Sequence, residues 1–207
     1  MARMTRPRGG HRSSGTRRAV LLAAALLFWS ALLSSCSDDP SSEPPGTPGQ
    51  MALSVQTGRG AGSLSEGAQA DAETEVGDVL SHFVVAGFLG DYPRENFVDA
   101  FDAFTGGAAA SAAGDLDLLT ANRYRDASSV RPTRLDARLS FLVDGKDVVG
   151  ASARVDLRFE ADLPGGDTVP FTLKGRLLLE EDEGTWSVFG YDVARDDAAP
   201  VGAEVTP

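Results

Sequence analysis

Residues 135–161, LDARLSFLVDGKDVVGASARVDLRFEA, decide the fold. Leu135, Ala137, Leu139, Phe141 and Val143 alternate with polar residues, and DGKD at 144–147 interrupts the run. Ala151, Ala153, Val155, Leu157, Phe159 and Ala161 then alternate with Arg154, Asp156, Arg158 and Glu160. Successive side chains of a strand point to opposite faces, so a period of two means strands with one apolar and one polar face. The turn residues between the two runs predict a hairpin. C-terminal to it, PGGD at 164–167 precedes Val169, Phe171, Leu173, Gly175, Leu177 and Leu179, and EDEG at 181–184 leads into TWSVFGYDV. Four strands joined by short turns make an antiparallel meander with one face to bury.

The partner for that face lies N-terminal. Val76, Val79, Leu80, Phe83, Val84 and Phe88 recur at helical spacing, and Gly90 ends the pattern. Pro93 is suited to a first helical turn, so a second helix is expected through Phe97, Val98, Phe101 and Phe104, ended by Gly106 and Gly107. A third, Ala-rich segment runs from about Ala108 to Asn122. Helices followed by a sheet predict the α+β class: two to three N-terminal helices packed on a curved four-stranded antiparallel sheet, over residues 76–197.

This order, with the helical stripes from Val76 to Phe104 and the closing Trp186-Ser187-Val188, resembles the nuclear transport factor 2-like superfamily, a cone-shaped fold. The resemblance implies a cone-shaped α+β domain. Its members include isomerases, dehydratases, cyclases and many non-catalytic binding domains, so it implies no single activity. No catalytic motif of an enzymatic member is matched, and no catalytic residue is carried over.

The N-terminus supplies an address. Arg3, Arg6, Arg8, Arg12, Arg17 and Arg18 precede an apolar run from Ala19 to Leu33, and small residues lead to Cys36, the chain's one cysteine. A basic segment, a short apolar run and small residues describe a secretory leader over residues 1–35, too short to span a bilayer comfortably. Leu33-Ser34-Ser35-Cys36 resembles a bacterial lipobox, which implies acylation of Cys36 and cleavage before it. Two or more acyl chains anchor a protein stably. Thr16-Arg17-Arg18-Ala19-Val20-Leu21-Leu22 resembles a twin-arginine export signal. The expected location is the extracytoplasmic face of a bacterial cell membrane, with the lipid on Cys36 as the membrane contact.

The leader holds six of the 19 basic residues and none of the 30 acidic ones, so its removal takes the net charge from −11 to −17. Such a charge argues against nucleic acid and against adhesion to anionic head groups. Residues 36–75 are rich in Ser, Pro, Gly, Asp and Glu and read as a disordered tether after the acylated cysteine, with a reach of about 35 Å. Residues 198–207 read as a flexible tail. With Cys36 on lipid, no thiol remains for a disulfide or a nucleophile.

Candidate chemistry is sparse. His82 follows Asp78 by one helical turn, and reads either as a base oriented by Asp78 in a pocket or as a solvent-facing polar pair. Tyr92, Tyr191 and Asp192 are the polar groups nominated, with His82, near a pocket mouth. Trp186 and Phe189 read as packing residues. Small residues at Ala137, Ala151, Ala153 and Gly175 leave room for a pocket under the helices or let the helices pack close. Alternating charges at Arg134, Asp136 and Arg138, and from Arg154 to Glu160, read as a solvated sheet face that pairs across strands, or as a surface that docks a partner or a second copy. Ser-His-Asp spacing, metal-ligand spacing and a phosphate loop are not found, so neither a cofactor nor a metal is expected. The expected function is a non-catalytic binding domain for an envelope protein or an apolar small molecule. The alternative is a small isomerase, cyclase or hydratase using a pocket Asp or His.

Overall fold

The computed structural model describes residues 51–58, 62 and 64–197. Cys36, the leader, the start of the tether and the tail from 198 lie outside the described residues. The fold is α+β, built on a single sheet in the order β1-β2-β3-β4-β5. Its strands are β1 (Ser54–Thr57), β2 (Ser129–Asp144), β3 (Asp147–Asp162), β4 (Thr168–Asp182) and β5 (Thr185–Asp197).

β2 to β5 form the expected antiparallel meander. Its turns follow from their residues. Gly145 (φ +64°) sits in the first, Gly165 and Gly166 (φ +132° and +96°) in the second, and Glu183 and Gly184 (φ +49° and +81°) in the third. Two consecutive positive φ values match the twist of the flanking strands.

The sheet differs from expectation in having five strands and being mixed. β1 runs parallel to β2, from Ser54 opposite Asp136 to Thr57 opposite Leu139. These four residues fall in the stretch read as tether, where a run so short and polar carries little periodicity.

The helical layer also starts earlier than Val76. α1 spans Glu66–Phe88, with the Ser65 hydroxyl accepting from the Ala68 N–H at 3.2 Å. Its first ten residues are rich in Ala, Glu and Gln, strong helix formers whose polarity made them resemble a tether. The domain therefore begins before Val76. Glu75 accepts from the Trp186 indole at 2.9 Å, and Glu73 accepts from Gln69 at 2.7 Å and from the Thr57 hydroxyl.

No α-helix restarts at Pro93. Arg94 instead caps α1, donating to Leu89 O at 2.7 Å and to Ala86 O, with its guanidinium 4.7 Å from the centre of the Phe97 ring. Those carbonyls are the ones a helix end leaves unpaired. A single 3₁₀ turn, Val98–Phe101, follows. Gly106 and Gly107 begin a helix rather than end one: α2 is Gly106–Gly114, with the Thr105 hydroxyl at its N-cap. α3 is the single turn Leu116–Leu119.

The core lies between the helical layer and one sheet face. Phe88 stacks on Phe159 with ring centres 4.5 Å apart, Phe159 on Phe171 at 5.2 Å, and Phe101 on Phe104 at 5.2 Å. Ala137, Ala151 and Ala153 are buried beneath this layer. Each fully buried Phe or Leu contributes about 1.5–3 kcal/mol. No described helix is long and apolar enough to cross a membrane.

Candidate functional site

The nominated residues are not brought together. His82 is about half exposed, its Nε2 lies 2.9 Å from Asp99 O, and its nearest carboxylate is Asp102 at 4.0 Å rather than Asp78. The Tyr92 hydroxyl donates to Phe88 O at 2.8 Å, and burial pushes its pKa up to about 12. Tyr191 stacks beside Phe104 on the inner side, and its hydroxyl donates to Asp115 Oδ2 at 2.8 Å. Burial, and then that carboxylate, push its pKa up to about 12. Asp192 is on the opposite face, paired with Arg176 at 2.9 Å. Trp186 is buried as expected, but Phe189 is 47% exposed. It is the extra residue of a bulge: Leu178 opposes Gly190 and Leu179 opposes Val188, which leaves Phe189 unpaired in the ladder.

Among the described residues, Thr120 is the one buried polar residue, and its hydroxyl donates to Leu116 O at 2.7 Å. No group of three or more His, Cys, Asp or Glu among the described residues is placed to hold a metal.

Arg195 was not singled out by its sequence setting, yet it joins the layers. Its side chain is 5% exposed. The guanidinium lies 4.6 Å from the Phe171 ring centre, donates to Asp197 Oδ1 at 2.7 Å and Asp117 O at 3.0 Å, and also donates to Thr120 O. These carbonyls close the end of α3, so Arg195 is a structural clasp. The nearest sequence signal is Asp197, two residues on and therefore on the same face of the strand.

A concavity lies on the other side, on the open polar face of the sheet. A groove of 810 Å³ is lined by five cations (Arg134, Arg138, Arg154, Lys174 and Arg176), three carboxylates (Asp136, Asp156 and Asp192) and Gln56. A hollow of 630 Å³ continues it toward Met51 and shares Arg134 and Asp136. The floor is kinked at Gly175 (φ +146°), where a Cβ would lie 2.2 Å from Asp192 O. Only glycine fits there.

The charges sit in rungs set by the ladder. Arg138 opposes Arg154, Arg154 opposes Arg176, and Arg176 opposes Asp192. In the next rung Asp136 opposes Asp156, which opposes Lys174. Every carboxylate of the groove is engaged. Asp136 pairs with Arg134 at 2.5 Å, Asp156 with Arg158 at 3.0 Å and Lys174 at 3.9 Å, and Asp192 with Arg176 at 2.9 Å. The Arg158 hydrogen bond holds the Asp156 carboxyl below the usual carboxylate range. Among the described residues, neither Arg138 nor Arg154 has a carboxylate partner. Like charges directly opposed on a sheet are destabilising. The open face thus holds two uncompensated cations in a chain whose net charge is −11.

No protein-family model, no curated protein and no solved structure matches this chain.

Proposed function

We propose that this is a non-catalytic binding domain of a bacterial envelope lipoprotein, which meets a partner protein through the charged open face of its sheet. The observation that carries the reading is the opposed, uncompensated pair Arg138 and Arg154 in an open groove. Residues arranged at a cost in stability, with no compensating internal contact, mark a surface kept for a ligand. An apolar small molecule is the weaker choice because stacked phenylalanines occupy the space between helices and sheet. Acid–base chemistry calls for a perturbed acid or base in a recess. The four nominated residues instead lie apart, on both faces of the sheet and on the helical layer.

The lipobox-like Leu33-Ser34-Ser35-Cys36 supports attachment to the extracytoplasmic face of the membrane. The order of helices and meander supports reading the domain as nuclear transport factor 2-like. The reading is tested by arginine footprinting with phenylglyoxal. In isolated cell envelopes Arg138 and Arg154 should be protected relative to the purified protein, and the exposed Arg123 and Arg125 should not. Equal reactivity of all four in both samples contradicts a partner on the open face.

A further inference from the structure

We infer that the open face takes an acidic, partly apolar segment of the partner, with a carboxylate seated between Arg138 and Arg154. This rests on the docking reading above and adds the chemistry of what docks. Charge complementarity is the first ground. The groove's own carboxylates are committed to Arg134, Arg158, Lys174 and Arg176, so an incoming carboxylate finds its vacant partners at Arg138 and Arg154. Directly opposed side chains start about 5 Å apart, and guanidinium forks bind carboxylates through paired N–H donors. Gln56, opposite Arg138 on β1, adds an uncharged amide at the same rung.

The second ground is the sequence of rungs away from the arginines. The next rung is Ser140 opposite Ser152 opposite Leu178, and the one after is Leu142 opposite Gly150. Leu142 is 65% exposed on this face, and Gly150 and Gly190 leave the surface low around it and Leu178. From Arg138 to Leu142 is about 13 Å along the strand. An extended segment repeats its side chains on one face at the same spacing. A carboxylate followed four residues later by an apolar side chain therefore matches the arginine pair in the groove and Leu142 beyond it on the same face. A nucleic acid or an anionic membrane fits poorly. Two uncompensated cations give little attraction to such surfaces, and the domain's net charge opposes it.

The test uses the full-length protein in detergent at low salt. The first probe is a synthetic extended peptide with one glutamate and a leucine four residues after it. The second is its glutamine counterpart, and the third is inorganic phosphate at matched ionic strength. Calorimetric binding and the thermal midpoint are read. The glutamate peptide should bind and raise the midpoint, and the glutamine peptide should do neither. Arg138→Gln and Arg154→Gln should each weaken binding about tenfold. Leu142→Ser should weaken it several-fold, and Lys146→Gln at the β2–β3 turn should leave it unchanged. Peptide binding that is indifferent to both arginine substitutions overturns the inference. So does phosphate binding as tightly as the peptide through the same arginines, which would assign the pair to a phosphorylated ligand. Protection of the arginines in envelopes without peptide binding leaves the docking reading standing and removes this one. Peptide binding without protection in envelopes removes the docking reading, and with it the partner, and leaves only the groove's preference for a carboxylate.

Discussion

Arg138 and Arg154 face each other directly across the β2–β3 ladder, and no carboxylate of the described residues pairs with either. Strand alternation explains how this happens. Residues 134, 136 and 138 on β2 and 154, 156 and 158 on β3 all point to the open face, and the register brings acid opposite acid and arginine opposite arginine. The acids find their partners along the strand and on β4. The two arginines do not.

Arg154→Gln should therefore stabilise the free protein. Removing a directly opposed like charge is worth about 0.2–1 kcal/mol. The gain should appear in urea unfolding at low salt and shrink in about 1 M salt, where the screening length is about 3 Å. A loss of stability at low salt would mean that Arg154 already has a compensating contact.

Arg195→Ala should destabilise by about 2–4 kcal/mol. It leaves carbonyls at the end of α3 without a donor and removes packing from Phe171. Arg195→Lys should recover only part of this, because an ammonium lacks the planar fork that reaches several acceptors. Denaturant midpoints of the two variants check the prediction.

Truncation before Val76 should prevent stable folding, whereas a chain beginning at Met51 should fold. The shorter chain loses β1, the Ser65 cap, buried Ala72 and the Glu75–Trp186 hydrogen bond. Circular dichroism and proteolysis of both chains separate the outcomes.

Asp162 accepts from the Ser129 and Thr168 hydroxyls at 2.8 Å each and pairs with Arg131 at 2.6 Å, tying β3 to the strands on either side. These hydrogen bonds hold its carboxyl below the ordinary range. A depressed folded pKa means that the contribution is present above about pH 3.9 and is lost as pH falls through the folded value. Asp162→Asn should be less stable at pH 7 and show a shallower loss between about pH 4 and 2. Urea midpoints across that range check it.

Cys36→Ser should move the protein from the membrane fraction to the soluble one. Continued sedimentation with membranes would assign the attachment to something other than lipid at that cysteine.

The meander was legible because its strands bury one face, and burial of one face enforces a period of two. Its turns were legible because positive φ selects glycine at 145, 165, 166 and 184. β1 was not, since four residues at an edge need no periodicity. The start of α1 was hidden by composition: Ala72 is the one buried residue before Val76, so its first turns carry no stripe. The helical spacing of Phe97, Phe101 and Phe104 does not mark a second helix, because these rings fill the core from a 3₁₀ turn and the chain around it. Tyr191 and Asp192 were nominated for one mouth, although neighbours on a strand point to opposite faces. The alternating charges were visible from the start. Which of them lacked a partner depended on register and on β4, and neither is set by spacing within a single strand.

The most direct measurement is photocrosslinking in living cells from a benzoylphenylalanine at Ser152, on the open face, compared with one at Ala113 on exposed α2. A discrete protein adduct is expected from Ser152, reduced by Arg138→Gln, and none from Ala113. An adduct from Ala113 with none from Ser152 would place the partner on the helical layer and contradict it.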